Sequence, residues 1–289
     1  MQSLWMLAAS LLFACMGVCV KLGSARFSAA ELVFYRGFIA LLLIYAYVSV
    51  AGLSLATPHW RTHISRGLAG LLSIVLYFQA ISMIPLATAV TLNYTSPLFM
   101  ALLLVFWERE RLSPQLLAAL VAGFIGVILL LRPSWQSEQL LGGLLGLASG
   151  MVVSIAYLNV RRLGELGEPV WRTVFYFSLI LALGGLPWIV LGSWTDQPLH
   201  AIDARGWLLL LGVGGCGLLA QLGMTRAYKY GKTMVSASLT YSTVVFASLF
   251  GIWLWDERLP LIAQAGVGLI LISGILATIF SRAAPIDQD

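Results

Sequence analysis

Leu92-Asn93-Tyr94-Thr95-Ser96-Pro97, running on to Glu110-Arg111-Leu112, is written twice in this chain. The second copy reads Leu239-Thr240-Tyr241-Ser242-Thr243-Val244 and runs on to Glu257-Arg258-Leu259. A constant offset of 147, from Tyr94 to Tyr241, also pairs Thr91 with Ser238, Thr95 with Ser242, Ala80 with Ala227 and Gly70 with Gly217. A polar patch inside an apolar run, duplicated at half the chain length, points to a repeat architecture.

The medium around that repeat follows from composition. Of 289 residues, 60% are hydrophobic and 10% charged, with a mean hydropathy of +0.92. A soluble domain carries roughly 25% charged residues, so this much apolar surface calls for lipid as the solvent. Ten apolar segments are long enough to cross about 30 Å of hydrocarbon: 3–22, 31–51, 64–84, 86–107, 114–132, 140–161, 170–191, 206–227, 233–255 and 261–280. The third and fourth run together at Ile84-Pro85, which is either a very tight turn or the mark of a nine-helix chain. Gly23-Ser24-Ala25 is a weak cleavage-site match, but no Lys or Arg precedes the first apolar run, which is read as a membrane helix. The polar tail after Arg282 is expected to be disordered.

A pI near 9.3 and a net charge of +5 could suggest nucleic acid, but the basic residues stand singly between apolar runs and read as topology signals. With the N-terminus inside, Arg61, Arg66, Arg109, Arg111, Arg161, Arg162, Arg172, Arg226, Lys229, Lys232 and Arg282 fall on the cytoplasmic side, eleven in all. Five fall outside: Lys21, Arg26, Arg132, Arg205 and Arg258. Both termini are therefore expected in the cytoplasm. Trp60, Trp188 and Trp194 suit interfacial anchoring. Each copy of the repeat holds five helices, an odd number, so the second enters the membrane from the opposite side. Two such halves suit alternating access. Val33-Phe34-Tyr35 recurs as Val174-Phe175-Tyr176 and Ala9-Ser10 as Ala148-Ser149, in matching order.

With these motifs in place, the chain resembles the EamA family of the drug/metabolite transporter superfamily. The resemblance rests on two five-helix repeats whose fourth and fifth helices are joined by Trp107-Glu108-Arg109-Glu110-Arg111-Leu112 and by Trp255-Asp256-Glu257-Arg258-Leu259, and on Tyr35-Arg36 in the second helix. It implies an all-α membrane protein with ten transmembrane helices built from two inverted five-helix repeats, 1–133 and 139–282. It also implies transport of a small metabolite across a bacterial inner membrane, often as export. Among characterised relatives the chain looks most like exporters of amino acids and related metabolites, with nucleotide-like cargo such as S-adenosylmethionine as the alternative.

Within the duplicated stretch, Thr88, Thr91 and Thr95 share one helix face with Tyr94 beside it. Pro97 cannot donate to the carbonyl of Asn93, so a kink and a free acceptor are expected there. Ser238, Tyr241 and Ser242 answer in the ninth helix, which has no proline, so the kink is expected in the first half alone. Tyr77, Gln79, Tyr157, Asn159 and Gln221 are the other polar residues inside spans; each must find a helix or a ligand as partner. Tyr-Thr pairs recurring in both halves favour a cavity over mere helix packing. Trp5 and Trp171 are expected at lipid or interface. Arg36 reads as the one strongly charged residue inside a span. Snorkelling, an ion pair with Glu31, or capture of a substrate carboxylate would each account for it.

No Asp or Glu lies deep in a span: the first helix reads Leu11-Leu12-Phe13-Ala14-Cys15. Cationic cargo and a buried-carboxylate proton cycle are disfavoured, and neutral or zwitterionic cargo fits better. Cys15 and Cys19, one turn apart, read as packing residues. The small-residue ridges Gly142-Gly146-Gly150 and Ala118-Ala122-Gly126 read as contacts within the bundle rather than a dimer surface, so a monomer is favoured over a homodimer. The histidines fall in loops with no nucleophile or metal set at useful spacing, and no phosphate-binding GxxxxGK loop exists. An intramembrane enzyme and a receptor-like protein are thus the weaker classes. No cofactor and no metal is expected; the expected partners are a small-molecule substrate and the lipid bilayer.

Overall fold

The structure, a computed structural model, describes residues 2–84, 86–132, 140–192, 202–256 and 260–280. Glu257-Arg258-Leu259, Trp194, His200 and Arg282 lie outside these residues, and nothing is described of the side chain of Trp188. Among the described residues the chain folds into ten helical rods. They are α1 (Trp5–Gly23), α2 (Ala29–Val50), α3 (Trp60–Met83), α4 (Leu86–Asn93, continued by Ser96–Phe106), α5 (Pro114–Leu131), α6 (Leu140–Glu165), α7 (Val170–Gly192), α8 (Ala204–Tyr230), α9 (Thr233–Leu239, continued by Ser242–Trp255) and α10 (Leu261–Phe280). Nine are long and apolar enough to cross a membrane. The tenth, α3, has 24 residues, about 36 Å of helix rise, but carries His63, Ser65, Arg66 and Ser73. It closes at Met83 and α4 opens at Leu86, so α3 and α4 are separate rods.

Local chemistry sets the ends. Ser28 opens α2 with a capping box: its hydroxyl accepts from Glu31 N at 3.2 Å, and the Glu31 carboxylate accepts from Ser28 N at 2.7 Å. Ser113 caps α5 at Leu116 N with Pro114 in the first turn. Asp203 caps α8 at Gly206 N, 2.6 Å, and also receives Arg26.

The principal contacts pair α3 with α6, α1 with α8, α2 with α7, α5 with α10, α4 with α6 and α1 with α9. Exchanging each of the first five helices with its counterpart in the second five maps this set of pairs onto itself. Every pair also joins residues of the first half to residues of the second. Small residues permit the approach: a Cβ on Gly37 of α2 would lie 2.7 Å from Ala182 N of α7, and one on Gly126 of α5 would lie 2.8 Å from Gly266 O of α10. Gly142, Gly146 and Gly150 face Met83, Ile84, Leu92 and Thr95, so this ridge is consumed inside the bundle.

The two broken rods differ from the sequence expectation. α4 breaks at Tyr94-Thr95, just ahead of Pro97. α9 breaks at Thr240-Tyr241 with no proline at all, so the kink is not confined to the first half. Hydroxyl back-bonding replaces the ring: Thr240 Oγ1 donates to Ser236 O at 3.2 Å, and the amides of Thr240 and Tyr241 take the tighter three-residue bonds to Ala237 O and Ser238 O. Each break is met by a helix of the other half. Ser10 of α1 donates to Leu239 O at 3.3 Å. The carbonyls of Leu92 and Asn93 lie against Gly150 of α6, while Asn93 Nδ2 donates to Ser149 Oγ at 3.0 Å. Ser10 and Ser149 are the serines matched in the repeat. The freed backbone is thus covered by a neighbouring helix instead of facing open space.

Candidate functional site

Arg36, Tyr94 and Tyr157 are enclosed by protein, yet part of each side chain stays accessible. Together they form a polar cluster in the interior of the bundle, carried by α2, α4 and α6. Tyr157 lies within electrostatic range of both Arg36 and Arg66, and Tyr94 within range of Tyr157 and Tyr77. Arg66, six residues into α3, is 2% exposed. Its Nη2 donates to Gln221 Oε1 at 3.0 Å and its guanidinium sits 3.5 Å from the Phe177 ring centre, a cation–π contact. Gly217, one turn before Gln221 on α8, lies against Arg36: a Cβ there would lie 3.4 Å from Arg36 Nε and 3.2 Å from Met16 Sδ. Gly70 does the same for Arg66, with a Cβ 3.3 Å from Nη1 and 2.8 Å from Phe177. Gly70 and Gly217 are partners in the repeat.

The sequence-predicted residues divide into groups. Tyr77, Tyr94, Tyr157 and Gln221 gather at this interior with Arg36. Thr91 and Thr95 are buried on α4, and Thr95 Oγ1 donates to Leu92 O at 2.5 Å. Asn93 and Asn159 join helices: Asn159 Nδ2 donates to Ser65 Oγ at 3.0 Å. Ser238 meets Ser273 at 3.4 Å, and Ser242 is buried. Tyr241 is fully buried among Val127, Val244, Val245 and Ile270, and its hydroxyl has no hydrogen-bond partner. Gln79 is exposed, on the stripe of α3 that carries Leu68, Leu72 and Met83. Glu31 is engaged in its capping box, and Arg36 makes no ion pair among the described residues.

By sequence, Arg66 counts as a flanking cytoplasmic residue, two positions into the third apolar segment, 64–84. The helix begins at Trp60 and buries it, so Arg36 is not the one arginine inside a span. Phe177, which holds Arg66, follows the recurring Val174-Phe175-Tyr176 and so takes the place that Arg36 holds after Val33-Phe34-Tyr35.

A second cluster ties together segments at one end of the bundle. Glu168, in the turn between α6 and α7, accepts from Thr57 Oγ1 and, at 2.9 Å, from Arg172 Nη1, and lies 3.5 Å from His63 Nε2. His63 is fully buried and stacks on Tyr176, whose hydroxyl donates to Leu55 O at 3.0 Å. Arg172 Nη2 donates to Ser54 O and Lys229 Nζ to Glu168 O, both at 2.7 Å. Burial opposes ionisation of Glu168, but the Thr57 hydroxyl, Arg172 and His63 outweigh it and hold its carboxyl below the ordinary range. Arg162 meets Glu108 at 2.6 Å, and Arg161 meets Glu110 at 2.5 Å and Glu165 at 2.7 Å. At the same end a pocket of about 380 Å³ is lined by Glu110, Arg111, Arg161, Glu165, Lys229 and Lys232. Tyr228, also on its wall, stacks on Tyr157 at 5.3 Å and so connects pocket and interior.

Set against known families, the chain is matched twice by the description "EamA-like transporter family", over residues 1–132 and 140–279. The chain belongs to that family. EamA relatives include a pseudopaline exporter of Pseudomonas aeruginosa, 32% identical over 267 residues and covering 92% of each chain. A riboflavin transporter of Vibrio cholerae is 29% identical over 233 residues, covering 78% of this chain and 75% of its own. A solved crystal structure shares the fold with a TM-score of 0.83 at 22% identity, covering 97% of this chain and 98% of that one. This EamA protein is thus a multi-pass membrane protein of a transporter family, and its relatives imply a small-molecule substrate.

The Tyr94 and Tyr241 hydroxyls are expected to behave differently despite their mirrored positions. Tyr241→Phe removes a buried hydroxyl without a partner, so stability should stay within about 1 kcal/mol of the parent or rise, with transport unchanged. Tyr94→Phe alters the interior surface and should weaken substrate affinity severalfold. Melting curves and initial rates on both variants decide this, and a Tyr241→Phe variant that loses affinity would place that hydroxyl in the site.

Proposed function

We propose that this chain is a secondary transporter moving a small metabolite across the bacterial inner membrane by alternating access. The moving parts would be two inverted five-helix repeats, 1–133 and 139–282, and the reading needs no catalytic step. The favoured activity is export of amino acids or related zwitterionic metabolites. The observation that carries the reading is an interior cluster of Arg36, Tyr77, Tyr94, Tyr157 and Gln221, with Glu168, Arg172, His63 and Thr57 tied together at one end of the bundle. Contacts that exchange under swapping of the halves support it, because two similar halves can trade conformations. Setting buried Arg66 aside, the basic-residue balance still favours cytoplasmic termini, ten against five. The Glu168 cluster is then a closed inner gate.

The test is a metabolite-wide flux screen in right-side-out and inside-out vesicles. Saturable, orientation-dependent flux of amino-acid-like solutes is the expected result; no saturable flux for any solute would overturn the transporter reading. A second reading is uptake or exchange of a nucleotide-like metabolite such as S-adenosylmethionine. The three interior tyrosines favour it, as stacking surfaces for a flat ring, and so does the likeness to a riboflavin transporter. The direction and cargo found in the same screen separate the two.

A further inference from the structure

Arg36 and Arg66 bring two positive charges into the interior with no carboxylate to meet them. Neither makes an ion pair among the described residues. Arg66 is the sharper case: at 2% exposure its Nη2 has Gln221, but Nε and Nη1 are buried without any hydrogen-bond partner. A buried guanidinium with two of its three nitrogens left unpartnered is costly in a low-dielectric interior. The fold retains it by building around it. Gly70 clears space for Nη1, Phe177 offers its ring face, and Gln221 turns its carbonyl oxygen toward Nη2. Gln221 and Gly217 lie four residues apart on α8, so Arg66 and Arg36 engage successive turns of one helix face. The two arginines and Tyr157 lie within electrostatic range of one another.

Resting on the transporter reading, we infer that the Arg36–Arg66 pair is an oxyanion site and that the cargo carries at least two anionic oxygens held by these guanidiniums. A guanidinium presents parallel N–H donors that match the two oxygens of a carboxylate or phosphate. Two guanidiniums select a multiply charged anion over a simple zwitterion, because a single carboxylate leaves one of them unmet. The acids that could hold an ammonium group, Glu108, Glu110, Glu165 and Glu168, stand at the gate end with basic partners of their own. The zwitterionic cargo expected from the sequence is therefore narrowed to one with surplus negative charge, such as a di- or tricarboxylate. The tyrosines of the interior would hold its uncharged part.

The test measures binding without relying on transport. The purified full chain in detergent is melted with citrate, glutamate, inorganic phosphate or leucine, and the same four are tried in counterflow from liposomes. Citrate is expected to raise the melting midpoint saturably and in a salt-sensitive way, and leucine to leave it unchanged. Arg66→Gln and Arg36→Gln should each weaken citrate at least tenfold. Without ligand, Arg66→Gln should melt at or above the parent, since it removes an unmet charge; a purely structural arginine would make it melt lower. Phosphate acting as strongly as citrate supports the oxyanion site and assigns it to phosphate-type cargo. Leucine matching citrate, no response to any anion, or unchanged citrate affinity in the Gln variants would overturn the inference. Binding without flux would sink the transporter reading and leave the anion site standing; flux of neutral solutes alone would do the reverse.

Discussion

Gly126→Leu is expected to abolish the folded bundle, with a cost of about 3 kcal/mol or more at this one site. The reason is reciprocal backbone contact between α5 and α10. A Cβ on Gly126 would lie 2.8 Å from Gly266 O and 3.0 Å from Ile270 N, and one on Gly266 would lie 2.7 Å from Gly126 O and 2.8 Å from Leu130 N. Main-chain atoms cannot swing aside as a side-chain tip can, so the helices must separate. In lipid their attraction rests on close van der Waals packing and Cα–H···O contacts, which vanish with small separations. Gly268 is the control: nothing lies within 4 Å of its added Cβ. Gly268→Ala should be tolerated, or should stabilise by up to about 1 kcal/mol through helix propensity. Size-exclusion profiles and melting midpoints of the two variants in detergent check the contrast. A monodisperse, normally melting Gly126→Leu protein would show that the two helices are not in backbone contact.

Glu168→Ala is expected to cost about 3–5 kcal/mol, the scale for breaking a buried ion pair by removing one partner, and to collapse transport. It leaves Arg172 and fully buried His63 facing each other without the carboxylate and releases Thr57. It therefore unties the segment after α2 from the turn before α7, and the inner gate should open. The pH dependence has a definite sign. Because its folded pKa is depressed below the ordinary 4.5, Glu168 contributes stability that is fully present above that value. The contribution is lost as pH falls through the lower, folded value. The groups facing it are the Arg172 guanidinium and the His63 ring, so protonating Glu168 removes the negative charge that holds them together. Melting midpoints of the parent and of Glu168→Gln between pH 3 and pH 7 isolate this term. The parent should lose its advantage only below about pH 4.5. A constant difference across that range would show that the carboxylate charge does not hold the gate.

Most of the architecture is legible in the letters. Apolar runs of about 20 residues fix the number of rods, because every backbone donor in lipid must be satisfied within its own helix. The Tyr94-Thr95 stretch ahead of Pro97 marks the break in α4 to within a residue, whereas the break at Thr240-Tyr241 in α9, which has no proline, is not read from the letters. Ile84-Pro85 marks a real division between α3 and α4, since the residue before a proline leaves the helical region.

What these letters do not carry is partnership across the fold. Thr95 and Tyr241 look alike as polar residues in apolar helices. One returns its hydroxyl to its own backbone, and the other buries its ring against α5 with no partner for the oxygen. Arg66 looks like a topology signal until α8, 155 residues away, brings Gln221 to it and α7 brings Phe177. The sequence by itself determined a polytopic, duplicated helical membrane protein, because hydropathy and repeat spacing can be read along the chain without knowing what packs against what. Only the tertiary structure decided which polar residues face one another in the interior, which cover broken helices and which tie segments together at one end. A buried polar group takes its role from whichever distant segment is packed against it.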